Sequence, residues 1–269
     1  MPQDTQSIDR LTMAGWGMLL MPLLTMWHEI GGHAAACVVQ GGHVATLGAF
    51  YVECSGLSRG PEIIVACAGV AMNALLALVA FLLWRNARGD VMRLVLWLVW
   101  VSEAFVASGY FLFSGVSGVG DLGTTADGAL RGVPAPLALR AAEVLIGGLC
   151  YFALVRAAIR TLSAMLGFGA PTGAARRAIA HVYYATCGGA AVLVGLLNPV
   201  GIFITIMSAA ASSFGGLAGF ISIGYAASGS DDPRAFRIGR NWLVILLGAA
   251  VLMGFALVLG PSRRFPAHA

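Results

Sequence analysis

The sequence predicts an all-α polytopic membrane protein of about six to seven transmembrane helices with a short membrane-associated β element. Three observations carry this. The chain is 59% hydrophobic and 10% charged, against the roughly 25% charged residues of an average soluble domain, and its mean hydropathy is +0.85. Its apolar residues fall in runs of about 20, the length needed to cross the hydrocarbon core. Between the first two runs lies His43 to Cys54 (HVATLGAFYVEC), rich in β-branched and aromatic residues and flanked by glycine. A single soluble core is excluded.

The first run covers residues 11–39. It is too long for a cleaved signal core and reads as a retained helix, with Pro22 a kink point one turn before His28. A more polar segment, 40–61, holds the β element. The second run is 62–84 and the third 92–113, followed by a Gly-rich loop from Ser114 to Gly128. Further runs cover 138–165, 178–197, 200–226 and 241–259, with Asn198-Pro199 dividing the fifth from the sixth. The small residues of Ser208 to Gly219 suit close helix packing. No internal repeat or soluble second domain is visible, so residues 1–269 read as one integral membrane domain.

All 16 basic residues are arginine, and the net charge is +4. The arginines sit mainly in short loops, as topology and headgroup anchors. No basic domain or aromatic-interleaved basic stripe supports nucleic-acid binding. The five cysteines show no C-x-x-C spacing, and neither a disulfide framework nor a Cys-based zinc site is expected.

The first run contains His28-Glu29-Ile30-Gly31-Gly32-His33. Two histidines and a glutamate are expensive in lipid unless something compensates. A zinc ion does so, since imidazole nitrogens ligate it and a neighbouring glutamate can activate water. The zincin spacing is i, i+4; here it is i, i+5, which on an ideal α-helix separates the histidines by roughly 140°. A π-bulge would absorb the extra residue. Gly31 and Gly32 are expected to ease it through their backbone freedom. The six-residue string resembles the expanded zinc motif of the dipeptidyl peptidase III family.

A catalytic zinc site takes three protein ligands and keeps one position open. Asp121, between Gly120 and Leu122-Gly123, is the candidate third ligand, because the third run returns to the side of the membrane on which the motif lies. Asp127, Glu53 and His43 are weaker candidates. Asn73, one turn after Gly69 in the second run, needs hydrogen-bond partners and could serve an oxyanion or a substrate backbone. Glu103 and Glu143 are intramembrane acids that could relay protons or pair with arginine.

The order of these pieces resembles the site-2 protease family of intramembrane zinc metalloproteases. That family has a His-Glu-x-x-His helix, a short β element, a Gly-x-x-x-Asn helix and an aspartate ligand at an Asp-Gly element. The corresponding pieces here are His28-Glu29…His33, residues 43–54, Gly69…Asn73 and Asp121-Leu122-Gly123, with Gln40-Gly41-Gly42 before the strands. The extra residue between the histidines, and leucine after Asp121, mark a divergent branch. The resemblance implies a metalloprotease core at 11–128, with 138–259 as additional transmembrane helices. It implies His28, His33 and Asp121 as Zn2+ ligands, Glu29 as general base and Asn73 in substrate or oxyanion contact. The implied activity is that of a zinc-dependent metalloendopeptidase acting on a membrane protein or peptide within the lipid bilayer. The alternative is a non-proteolytic scaffold, metal sensor or transporter that keeps the site. Composition suggests the cytoplasmic (inner) membrane of a high-GC bacterium. Arg85, Arg88 and Arg93, Arg160, Arg176 and Arg177, and the arginines of 234–240 favour their loops as cytoplasmic. The metal site then lies nearer the outer face.

Overall fold

The computed structural model describes residues 6–125, 128–199 and 213–266. The chain is a polytopic helical membrane protein. Among the described residues, five helices are long and apolar enough to cross a membrane: α3 (Arg59–Asn86), α4 (Asp90–Ser117), α5 (Pro136–Leu166), α6 (Gly173–Gly195, entered through a 3₁₀ turn at Ala170–Thr172) and α8 (Trp242–Leu259). Ahead of them runs a continuous helical rod. It consists of α1 (Arg10–Met26), a π-helical segment (Trp27–Ala34) and α2 (Ala35–Val39). A short α7 (Gly219–Tyr225) precedes α8. The rod, α3, α4 and α5 match the first four apolar runs and extend them by up to a few residues, while α6 and α8 fall on the fifth and seventh. About half of the expected sixth span (residues 200–212, with the first part of its run of small residues) lies outside the described residues, as does Asp127.

Helix starts follow local chemistry. Asp9 caps α1 by accepting a hydrogen bond from the Thr12 N–H at 2.8 Å, and Asn241 caps α8 by accepting from Val244 N–H at 3.2 Å. Helix pairs approach closely where glycine removes the side chain. A Cβ on Gly15 of α1 would lie 3.0 Å from the Ile245 Cα of α8. The interior is aromatic at its centre, where Phe220 meets Trp97, Phe105 and Tyr183 edge-on or tilted. The outer faces of α3 (Leu75, Leu78, Leu82) and α8 (Leu243, Leu246, Met253) are exposed and apolar, as lipid contact requires.

Short strands tie down both ends of the bundle. At the N-terminal end, β1 (Gln6–Ile8) pairs in parallel with β6 (Phe236–Ile238), and β4 (Gly167–Phe168) pairs with β5 (Asp232–Pro233). The Asp90 carboxylate accepts from Arg237 N–H at 2.8 Å, fastening the α3–α4 loop to the same end. At the opposite end β2 (His43–Leu47) and β3 (Val52–Ser55) form the hairpin expected at 43–54. The C-terminal β7 (Arg263–Arg264) pairs with the other edge of β2, so β3 is an edge strand.

The cysteine expectation is corrected. Cys37, near the end of α2, is disulfide-bonded to Cys54 in β3 with their Cα atoms 5.9 Å apart. The tight Gln40-Gly41-Gly42 turn, with φ +82° at Gly41, folds the hairpin back over α2 and brings together cysteines 17 residues apart. No local spacing motif announces such a pair.

Candidate metal centre

The i, i+5 histidines sit on the π-helical segment Trp27–Ala34. A π turn closes hydrogen bonds between residues five apart, so His28 and His33 stack on one face as two zincin histidines do on an α-helix. Their rings meet edge to face with Nε2 atoms 3.0 Å apart. Neither Gly31 nor Gly32 has a positive φ, so backbone freedom is not their role. Gly32 is needed for space instead: a Cβ there would lie 2.6 Å from the Gly69 Cα of α3.

Asp121 arrives from the loop after α4. Gly118 and Gly120, with φ of +78° and +88°, turn the chain as L side chains rarely allow. The loop is pinned to the start of α3 by a 2.8 Å Arg131–Glu62 ion pair and by Arg59, which donates to the Arg131 carbonyl. Asp121 Oδ2 lies 3.4 Å from the Nε2 atoms of both His28 and His33, and this buried oxygen has no hydrogen-bond partner.

The outer hydrogen bonds decide what this arrangement can hold. His33 Nδ1 donates to the Val65 carbonyl at 2.8 Å, and His28 Nδ1 donates to the Asn73 amide oxygen at 3.2 Å. Each ring therefore presents its Nε2 lone pair inward. Two lone pairs and a carboxylate oxygen converge with no donor between them, an arrangement that suits a metal cation. The three separations of 3.0, 3.4 and 3.4 Å match the edge of about 3.3 Å in a tetrahedron of ~2.05 Å bonds. Gly69 completes the cradle, for a Cβ there would sit 2.5 Å from His33 Nε2 and 2.6 Å from His28 Nε2. Burial alone would raise the Asp121 carboxyl; positive charge and hydrogen bonding at the His33 and His28 rings, supplied by a proton where no metal is bound, more than offset this and hold it below the usual carboxylate range.

His28, Glu29 and His33 are each under a tenth exposed. They line a cavity of about 590 Å³ that reaches from the hairpin residues Phe50, Tyr51 and Val52 inward to Ser102 and Tyr183. Glu29 shares this cavity, and its Oε2 has no hydrogen-bond partner. Asn73 also borders the cavity, with its amide engaged by His28. The weaker candidates are elsewhere. His43 meets the Phe265 carbonyl at 3.2 Å, Glu53 accepts from Thr46 Oγ1 at 2.5 Å, and Glu143 is buried on α5 near Arg140. Sequence reasoning missed Tyr110, whose ring stacks on His28 with centroids 4.9 Å apart and planes 6° apart. Its signal was available: Tyr110 is seven residues after Glu103, on the same helical face.

Fold and site together define a helical membrane protein with a buried His-His-Asp constellation fit for a metal ion. Comparison of the chain with protein-family models, curated proteins and solved structures finds no match.

Proposed function

We propose that this protein is an intramembrane zinc metallopeptidase, resembling the site-2 protease family at its site, that hydrolyses peptide bonds of membrane-embedded or membrane-adjacent substrates. The observation that carries the reading is the convergence of His28 Nε2, His33 Nε2 and Asp121 Oδ2 beside an unpartnered Glu29 carboxylate in one cavity. Two imidazoles and a carboxylate are a donor set typical of hydrolytic zinc. Zinc held there supplies Lewis acidity, which polarises a carbonyl and makes water acidic enough to ionise near neutral pH.

The protein's own groups perform the rest. Glu29 takes a proton from the attacking water and returns it to the leaving amine. The apolar cavity walls, among them Leu24, Val106 and Phe113, exclude bulk water and accept apolar side chains. A transmembrane helix must unwind before its backbone can be attacked. The open edge of β3 borders the cavity and offers ladder hydrogen bonds to an extended segment.

Two independent features support one orientation. Arg85, Arg88, Arg93, Arg234, Arg237 and Arg240 gather at the N-terminal end, which the positive-inside bias assigns to the cytoplasm. The Cys37–Cys54 disulfide is at the opposite end, as an oxidising compartment requires. The site then opens on the outer side of a bacterial cytoplasmic membrane.

The test is Glu29→Gln in proteoliposomes carrying candidate single-span substrates. Cleavage should fall by about 10²–10⁴-fold with zinc content unchanged. A zinc-replete wild-type protein whose biological output survives Glu29→Gln is a sensor, scaffold or transporter, and the peptidase reading fails.

A further inference from the structure

Glu103 lies in the middle of α4, is 2% exposed, and lines the cavity that holds the metal site. All 16 basic residues of the chain are arginine, and every one is among the described residues. The two whose guanidinium pairs with an acid do so at Glu62 and Asp9. Glu103 therefore has no ion-pair partner among the described residues. Its polar neighbour is the Asn73 amide at 3.2 Å, which is neutral and leaves a carboxylate's charge unbalanced. A charge in a membrane helix is costly unless it is paired, and the peptidase mechanism does not call on this one.

The charges around the cavity single Glu103 out. Among the described residues four acids line it: Glu29, Glu62, Glu103 and Asp121. Arg131, on the same wall, neutralises Glu62 at 2.8 Å. A divalent ion at His28, His33 and Asp121 balances Asp121 and Glu29. Glu103 is left over, so its counter-charge has to come from what enters the cavity. The rest of the lining suits one kind of visitor. Met21, Val106 and Leu217 make apolar walls, and next to Glu103 the Ser102 and Tyr183 hydroxyls sit 3.0 Å apart. An apolar sleeve over an acidic, hydroxylated floor matches lysine or arginine, each a cationic head on an apolar stem. An ammonium has three donors, and a carboxylate and two hydroxyls supply the acceptors. Reach agrees as well. One Asn73 amide atom lies 3.2 Å from both Glu103 Oε2 and His28 Nδ1, so two hydrogen-bond lengths separate the carboxylate from a metal-ligating ring. A lysine stem, ~6 Å from Cα to ammonium, spans that distance from a backbone held at the metal.

We propose that Glu103 is a specificity-determining residue: it makes the inner end of the cavity a pocket for a cationic side chain, lysine or arginine, of the peptide segment held at the metal. The proposal deepens the peptidase reading and rests on it for the segment being a substrate, so binding and cleavage are measured apart.

The experiment measures, by fluorescence anisotropy, the binding of dye-labelled Leu-Leu-Xaa-Leu-Leu amides to the zinc-loaded full-length protein in detergent. Xaa is lysine, norleucine or glutamate, and the protein carries Glu29→Gln so that no peptide is consumed. The lysine peptide should bind about 10–100-fold more tightly than the norleucine peptide, the scale of a hydrogen bond to a buried charge, and the glutamate peptide should bind least. Adding Glu103→Gln should abolish the preference for lysine. A second measurement needs no change at Glu103. Dicyclohexylcarbodiimide, an apolar reagent, condenses the lysine amine with the carboxylate it touches, and mass spectrometry should place the new amide at Glu103. Equal affinities for the lysine and norleucine peptides, a lysine preference that survives Glu103→Gln, or a crosslink confined to another acid overturns the proposal. The lysine preference together with a lysine peptide that the wild-type protein leaves intact refutes the peptidase reading and upholds the cation pocket.

Discussion

Gly69→Ala is the smallest change that separates the metal centre from the fold around it. The nearest atoms to a Cβ at this position are His28 Cε1 and His33 Nε2 at 2.5 Å and His28 Nε2 at 2.6 Å. All three belong to side chains, so helix α3 need not move. Ordinary contact with carbon begins near ~3.5 Å, so the methyl pushes the rings back by about 1 Å. Metal–ligand distances tolerate only about ±0.2 Å. The loss of affinity should therefore exceed the roughly 10–100-fold typical when only an outer hydrogen bond is removed. Helix propensity acts in the opposite direction, since alanine favours a helix interior over glycine by about 1 kcal/mol. The expected result is a protein that folds as well as wild type and carries no metal. The assay is elemental analysis of protein purified without chelator, with competition against a chromophoric chelator and thermal unfolding of the same samples. Gly254→Ala in α8, where a Cβ meets open space, is the control and should keep its metal. Stoichiometric metal in Gly69→Ala at wild-type affinity would refute the placement of the ion between the two Nε2 atoms.

Two further predictions concern the supports of the bundle. Removing the Cys37–Cys54 crosslink with Cys54→Ser frees a loop of 17 residues, for which chain-entropy arguments give about 3 kcal/mol. Hydrogen exchange should rise across residues 43–55 while α3 and α4 stay protected, and unchanged exchange in the hairpin would show that β7 and the π segment hold it unaided. At the other end, partial burial works to raise the Asp9 carboxyl, but hydrogen bonds from Thr12 and the Arg240 ion pair hold it below its usual value. A lowered folded pKa gives stability that is present above the unfolded value and lost as pH falls through the folded one. Asp9→Asn should therefore lower the thermal midpoint modestly at neutral pH, by under about 1 kcal/mol. The gap to wild type should close below pH ~4. A gap that persists once the pH is below the lowered folded value would assign the effect to something other than charge.

The sequence was legible where one physical signal dominated. Apolar runs located the helices because lipid tolerates few polar groups, and the β-branched stretch between glycines located the hairpin. The i, i+5 histidines can share one ion only across a π turn, and residues 27–34 form one. Parity placed Asp121 at the motif's end of the bundle, where its Oδ2 meets both rings. What stayed illegible was long-range. Strands of three residues, such as β1 and β6, carry no period, and their pairing across 230 residues of register (Gln6 with Phe236) is fixed only by the packed helices. Cys37 and Cys54 meet because a turn reverses the chain. Glu103 stood out as an intramembrane acid, but that Asn73 lies between it and His28 is a property of the α3–α4 packing.

The two glycines of the motif show how a correct expectation can rest on the wrong cause. Backbone freedom would make Gly31 and Gly32 equivalent, each easing the π turn. The structure separates them. A Cβ on Gly31 meets only Met72 and Trp27 side-chain atoms at 3.7 Å, an ordinary contact. A Cβ on Gly32 meets Gly69 Cα at 2.6 Å and Gly69 N at 2.9 Å, which is backbone and cannot swing aside. Separating the π segment from α3 moves His33 away from the Val65 carbonyl and His28 away from Asn73, both of which α3 carries. Gly31→Ala should therefore bind Zn²⁺ within a few-fold of wild type. Gly32→Ala should lose metal and also stability, by the ~1–3 kcal/mol of an overpacked interior. If the turn's conformation were the constraint, both variants would be impaired alike, so equal zinc affinities and melting curves for the pair would return the argument to the backbone.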